Sequence, residues 1–376
     1  MINAKQNICL HCIMDTSDEN IKFDSEGVCN HCARYKRELH RRVFLGEMAS
    51  SKLENIVDRI KKSGKGKEYD CVIGVSGGVD STYVAYLTKQ LGIRPLAVHF
   101  DNGWNSELAV SNIEKTLERL GIDLYTYVID WEEFKSLQLS FLKASTPDGE
   151  IPTDHAINAL LFIEASKRGI KYIINGMNFA SESISVPSWA YGHSDWKYIK
   201  SVHRAFSPIK LKHYPKFSFF DLFFWNVIKQ IKVVSILNYI DYKKDTVMRL
   251  LEAELGWVYY GGKHYESVYT RFYQGYILPK KFGIDKRKAH LSDLIKSGQI
   301  TREAALQELS KDAYDYQLFC QDKQFVIKKL DLDESSFDAI MRLPIKSFRN
   351  YPNNYKNVQR LKALLNWLRE KEVYSR

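Results

Sequence analysis

Two sets of residues in this chain have the types and spacing to do chemistry. The first is Ser76-Gly77-Gly78-Val79-Asp80-Ser81, reached directly from the apolar run 71–75. A buried strand that ends in a Ser-Gly-Gly turn and passes at once into a helix places free backbone N–H groups at the positive end of a helix dipole, which suits an anion. Gly77 and Gly78 carry no Cβ to hold a phosphate away from the backbone. Ser76 and Ser81 add hydroxyl donors, and Asp80 can hold a Mg²⁺ that binds phosphate in turn. The turn lacks the Gly-Lys-Ser/Thr ending of a Walker loop, so it is suited to gripping a pyrophosphate unit. The second set is Cys9-Leu-His-Cys12 and Cys29-Asn-His-Cys32, separated by sixteen residues. That spacing fits a tetrahedral Cys₄ zinc site, each pair biting one metal from a single turn. Disulfides or a redox pair are the competing readings; His11 and His31 read as bystanders.

These residues need elements to position them. Tyr83, Val84, Tyr86 and Leu87 give the helix after the turn an apolar face. Further strands are expected over 95–100, 124–129 and 171–175, with helices over about 106–120 and from near Thr153 or Asp154. Such alternation predicts a doubly wound parallel sheet, α/β in class, with ligands at the carboxyl ends of its strands. Asp101 and Asn102 fall at the end of the second strand, Gly176 and Asn178 at the end of the fourth. The irregular stretch 179–200 is expected to cover the site, with Glu182, His193 and Trp196 as candidates to line it.

Residues 217–242 are crowded with aromatic and aliphatic side chains. They read as a buried helical hairpin, or as an exposed face for a partner protein or a membrane surface. A Gly-Gly turn follows with Lys263, His264, Tyr265, Glu266 and Ser267, then Lys281, Asp285, Lys286, Arg287 and Lys288. Polar residues packed this densely point to a site, and the cations to phosphate contacts. Beyond 289 the pattern is helical. The expected division is a zinc knuckle at 1–45, a basic helix and linker at 46–68, a nucleotide domain at 69–210, and a mainly helical substrate or partner region at 211–376.

The 376 residues carry a net charge of +10, which favours acidic partners such as nucleic acid, nucleotide sugars or an anionic surface. The polar start 1–7 does not read as a signal peptide, and no run of about 20 apolar residues predicts a membrane span. The expectation is a cytoplasmic protein whose cysteines are reduced or metal-bound.

Ser-Gly-Gly-Val-Asp-Ser after a buried strand resembles the pyrophosphate loop of the N-type ATP pyrophosphatases. With the Cys₄ knuckle, the Gly-Gly-Lys-His-Tyr-Glu-Ser segment and Asp-Lys-Arg-Lys, the layout from Cys9 to about His290 is similar to the N-acetyl sugar amidotransferases of surface-polysaccharide (lipopolysaccharide O-antigen) biosynthesis. The resemblance implies a HUP-like sheet, ATP, Mg²⁺ and Zn²⁺ as cofactors, and a UDP-linked N-acetyl sugar as substrate. It implies catalysis by Ser76, Asp80, Lys263 and Lys281. The nucleotide would be held by 76–81, Asp101, Asn102, Gly176, Asn178, Lys286 and Arg287. An acetamido group would be adenylylated and AMP displaced by ammonia. Ile2 excludes an amino-terminal cysteine nucleophile, and neither Cys71 nor Cys320 sits at a strand-to-helix elbow. Ammonia is therefore expected from solution or from a separate glutaminase, with a cyclase-like companion. A tRNA-thiolating enzyme is the alternative; it would need cysteines near the nucleotide that this chain does not offer. No nucleic acid enters the main reading, and the oligomeric state stays open.

Overall fold

A computed structural model describes residues 7–262 and 265–370. Five strands form one sheet: β1 (Cys71–Gly74), β2 (Pro95–Asp101), β3 (Leu124–Val128), β4 (Tyr172–Asn175) and β5 (Lys232–Ser235). All pairings are parallel and the order is β3-β2-β1-β4-β5. The chain winds outward from β1 through β2 to β3, then crosses back to lay β4 on the other side of β1. The reversal between β1 and β4 opens a crevice at their carboxyl ends, the position where such sheets bind ligands.

The helices are α1 (Asn30–Arg42), α2 (Gly46–Ser63), α3 (Val79–Gln90), α4 (Glu107–Leu120), α5 (Trp131–Ala144), α6 (Ile151–Lys167), α7 (Trp196–Phe206), α8 (Phe219–Phe223), α9 (Lys244–Leu255), α10 (Val268–Phe272), α11 (Arg287–Lys296), α12 (Arg302–Ser310), α13 (Tyr316–Lys329), α14 (Glu334–Arg342) and α15 (Tyr355–Glu370). Strand alternation divides the core. Val72, Leu96, Val98 and Ile173 pack with α5 and α6 on one face. Cys71, Ile73, Ala97 and Ile174 pack with α2, α3, α4 and α9 on the other. Both faces are covered, as a parallel sheet requires.

The helix expected within 46–68 is α2, and its Val57 and Ile60 are buried in the second core. The structure corrects two expectations. The nucleotide domain does not end at 210, because β5 and α9 complete its sheet and its core. Residues 217–242 do not form a buried helical hairpin. They make the short helix α8, a π-turn over Phe224–Ile228 and the edge strand β5. Val233 and Val234 are β-branched and pair with β4, which favours the strand.

Candidate active site and metal centre

The loop between β1 and α3 is tied down from three sides. Gly77 has φ +77°, and a Cβ there would overlap the carbonyl oxygen of Ala109 in α4, so only glycine fits. The indole Nε1 of Trp257 donates to the Gly77 carbonyl at 2.9 Å. Three loop N–H groups meet only hydroxyl oxygens. Ser76 N donates to Ser81 Oγ at 3.2 Å, Gly78 N to Ser76 Oγ at 3.3 Å, and Val79 N to Tyr260 Oη at 3.3 Å. Hydroxyls rotate freely and can yield those donors to phosphate oxygens.

Asp80 stands in the first turn of α3, where the helix dipole favours its charge. The Tyr242 hydroxyl donates to its Oδ1. A Cβ on Gly176 would lie 3.0 Å from the Asp80 carbonyl carbon and Cβ, so the end of β4 closes directly on the loop. Burial pushes the Tyr242 hydroxyl's pKa up, and the Asp80 and Glu182 carboxylates add to it. Tyr260 is raised by burial, then by Glu266 and Asp80. The mouth of the loop is thus electronegative and lined by oxygen ligand atoms, a chemistry compatible with a Mg²⁺ carrying phosphate.

The other strand-end residues shape the rim. Asp101 Oδ1 accepts from Gly103 N at 2.9 Å. Buried Asn102 accepts from Trp104 N at 3.1 Å, and its Nδ2 donates to Thr153 Oγ1 at 3.3 Å. Asn178 Oδ1 accepts from Ser181 N and Oγ, and its buried Nδ2 has no acceptor among the described residues. The segment after Trp257 seals the loop. Ser106 N donates to Glu266 O at 2.9 Å, Val268 N donates to Trp104 O at 2.9 Å, and a Cβ on Gly78 would come within 3.5 Å of Glu266 Oε1. Lys263 and His264 lie outside the described residues. Tyr242 and Tyr260 are the additions the sequence did not single out. A lone tyrosine in an aromatic run carries no signal of its own.

Among the described residues, Lys281, Lys286 and Arg287 make no hydrogen bond or ion pair with the loop 76–81. Lys286 pairs with Glu150 at 2.7 Å. It sits with Asp148, Asp154 and His193 around the start of α6. Arg287 binds Asp285 at 2.8 Å and spends its remaining donors on the carbonyls of Glu308, Leu309 and Lys311 at the end of α12. Lys281 donates to the Ile340 carbonyl beside Ile277, Phe337 and Met341; burial pushes its ammonium pKa down to about 8. The structure explains these two positions as helix-end fasteners.

The four knuckle cysteines are buried and unbridged by disulfides. Their Sγ atoms stand 3.7 Å apart for Cys12–Cys29 and Cys29–Cys32 and 4.0 Å for Cys9–Cys32. Thiolates on one zinc with bonds near 2.3 Å would be about 3.8 Å apart, so the set fits. Backbone N–H groups of Cys12 and Cys29 point at Cys9 Sγ at 3.4 and 3.2 Å, and Met14 N at Cys12 Sγ at 3.4 Å, which stabilises thiolate charge. His31 is engaged by Asp18 at 2.7 Å, while His11 Nδ1 lies 3.6 Å from Cys32 Sγ. The knuckle docks on the C-terminal helices. Arg302 reaches the carbonyls of Cys9 and Cys12, Ile13 N donates to Ser292 Oγ, and Lys288 pairs with Asp15.

Residues 50–146 match the NAD synthase family, and residues 266–364 match the family described as LPS biosynthesis protein WbpG-like, C-terminal domain. The tRNA(Ile)-lysidine synthase of Chlamydia pneumoniae is 36% identical over 64 residues, 16% of this chain and 20% of that one. The matched region thus spans about a fifth of that curated relative. Among solved structures, the NH3-dependent NAD synthetase of Campylobacter jejuni overlaps 75% of this chain and 94% of its own at 14% identity and a TM-score of 0.31. The NMN synthetase of Francisella tularensis overlaps 77% and 98% at 16% identity and 0.32. A predicted subunit of tRNA methyltransferase from Methanocaldococcus jannaschii overlaps 48% and 74% at 16% and 0.28. Overlaps at these scores carry no argument about activity. With a PP-loop nucleotide domain and a WbpG-like C-terminal domain on one chain, the protein matches the N-acetyl sugar amidotransferase family of the PP-loop superfamily.

Proposed function

We propose that this protein is an ATP-dependent amidotransferase that converts the acetamido group of a nucleotide-linked N-acetyl sugar into an acetamidino group for surface-polysaccharide biosynthesis. The observation that carries the reading is the seam between its two domains. Glu266, where the WbpG-like region starts, lies against Gly78 of the pyrophosphate loop. On this reading the C-terminal region borders the nucleotide site, so that the acceptor would be presented beside the loop.

The chemistry follows from the groups present. An amide oxygen is a poor leaving group until it carries AMP. It attacks the α-phosphorus, and the β–γ pyrophosphate departs into the N–H groups of Ser76, Gly78 and Val79, where developing charge meets fixed donors. Mg²⁺, held by Asp80, would neutralise the leaving group. Ammonia then adds to the imidate carbon, AMP leaves with the former amide oxygen, and loss of a proton gives the amidine. Asn102, Asn178 and Gly176 are proposed to border the nucleotide. Lys286, held among carboxylates, is assigned to the acceptor side of the crevice. Zinc would be held by Cys9, Cys12, Cys29 and Cys32 in a structural role.

Ammonia is proposed to come from solution or a separate glutaminase. Among the described residues the remaining thiols are Cys71, wholly buried in β1 with its pKa pushed up by burial, and Cys320 on α13. That also weighs against thiolation. The test is AMP release from ATP with UDP-linked N-acetyl sugars plus ammonium, set against unmodified tRNA. Turnover with a sugar supports the proposal; turnover with tRNA alone would replace it.

A further inference from the structure

The segment after α7 presents an apolar surface that the fold does not use. Ser218 and Asp221 form a reciprocal cap, with Ser218 N and Oγ each donating to Asp221 Oδ2 at 2.7 Å, so the start of α8 is fixed. Trp225 turns inward and stacks on Phe162 with centroids 5.1 Å apart and planes 9° apart. The anchored stub then holds its other large side chains outward. Phe220 is 86% exposed, Phe223 60% and Ile228 60%, with Phe219, Phe224 and Val227 also exposed. Six large apolar side chains within ten residues make a contiguous patch on a helix that widens into a π-turn, a local form common at functional sites.

Charge decides what covers it. Residues 196–240 contain eight lysines and arginines and one carboxylate, Asp221, whose oxygen is already taken by Ser218. That stretch supplies a net +7 of the chain's +10. Lys229 and Lys232 follow the patch directly, with Lys229 Nζ 5.6 Å over the Phe224 ring. A protein-binding patch of this size needs no single-sign surround. Exposed phenylalanines followed directly by lysines are what an anionic bilayer surface takes up, the rings entering the acyl boundary and the ammonium groups staying among the headgroups. No helix among the described residues is long and apolar enough to cross a membrane, so the contact is interfacial.

We propose that Phe219–Ile228 seats this protein reversibly on the surface of an anionic membrane. The test is co-sedimentation of the full chain with vesicles of phosphatidylcholine alone or mixed with phosphatidylglycerol. Binding is expected to favour the mixed vesicles by about tenfold or more and to weaken with salt, since lysines beside an anionic surface are attracted to its headgroups and salt screens that attraction. The double variant Phe220→Ser/Phe223→Ser should lose about tenfold or more of that binding with an unchanged circular dichroism spectrum. Lys229→Gln/Lys232→Gln should lose the preference for the anionic lipid. Absent binding, or equal binding to both vesicles, overturns the proposal. So does a wild-type dimer that the phenylalanine variant turns into monomers, which would make the patch a self-contact.

Discussion

The Tyr242 hydroxyl donates a hydrogen bond to the carboxylate of Asp80 across the mouth of the pyrophosphate loop. Tyr242 reaches that position because β5 and the 3₁₀ turn Ile236–Tyr239 carry the chain past the end of β4. The bond fixes the carboxylate's direction before any ligand arrives. Asp80→Ala is expected to fold and to lower AMP formation by about a thousandfold, the scale of losing a preorganised charge partner. Tyr242→Phe should lower it about tenfold, in line with one hydrogen bond to a charged group. ATP–pyrophosphate exchange reads both, and a Tyr242→Phe rate equal to wild type would remove the tyrosine from the site.

Two glycines can be told apart by substitution. Gly77→Ala forces a side chain into a left-handed backbone and into the Ala109 carbonyl. It should cost about 2 kcal/mol or more and lower Tm by several degrees. Gly176 has an ordinary backbone, and the atoms nearest its Cβ would be those of Asp80, at 3.0 to 3.1 Å. Gly176→Ala should lower Tm by less than Gly77→Ala and raise the KM for ATP. A normal KM for that variant would argue against close packing at the crevice.

One zinc per chain is expected by elemental analysis, lost in Cys9→Ser together with several kcal/mol of stability. Arg302→Met should keep the metal and still lower Tm, because it removes only the fastening of the knuckle carbonyls. Iron in place of zinc would overturn the assignment.

His155 should impose a pH dependence on stability. It is buried, donates Nδ1–H to the His193 carbonyl at 3.0 Å and accepts from Phe217 N at 3.2 Å, so both ring nitrogens are committed to the neutral form. Burial pushes its pKa down to about 4 from 6.5. Between those values the unfolded chain holds the extra proton, so the contribution is intact above pH 6.5 and is lost as pH falls toward 4, by about 3 kcal/mol. Asp148, pushed up to about 6 by burial, acts in the opposite sense over much of the same range. The measurement is therefore the difference in denaturation free energy between wild type and His155→Gln. It should shrink by about 3 kcal/mol from pH 6.5 to 4; a constant difference would refute the assignment.

The purified chain should form AMP with ammonium at raised pH, where more of it is neutral ammonia, and fail with glutamine. Glutamine-dependent turnover by the single chain would show a glutaminase centre within it.

The pyrophosphate loop, the knuckle and four of the five strands were legible because each rests on local rules. Glycine spacing, cysteine spacing and apolar runs between turns need no knowledge of distant contacts. α5 passed unread although Asp130 caps it, since its buried Ser136, Gln138 and Ser140 blur the apolar stripe. β5 stayed hidden because Val233-Val234 stands in an aromatic crowd that looks helical. The cationic segment 281–287 was ambiguous for a general reason. A lysine or arginine has the same appearance in sequence whether it meets a phosphate or the last carbonyls of a helix, and only the fold shows Arg287 at the end of α12. Tyr242 and Tyr260 depend wholly on tertiary approach.

The clasp of Arg302 on the Cys9 and Cys12 carbonyls joins residues 290 or more positions apart. On a ribosome making about 5 to 20 residues per second, roughly 15 to 60 s separate the two ends of that contact. The knuckle can take its metal early, but the surface it rests on does not yet exist. Through that interval the buried face around Ile13 has no cover from α11 and α12. Metal uptake during synthesis would then act as a timer, keeping the first module shaped until the last helices arrive to receive it.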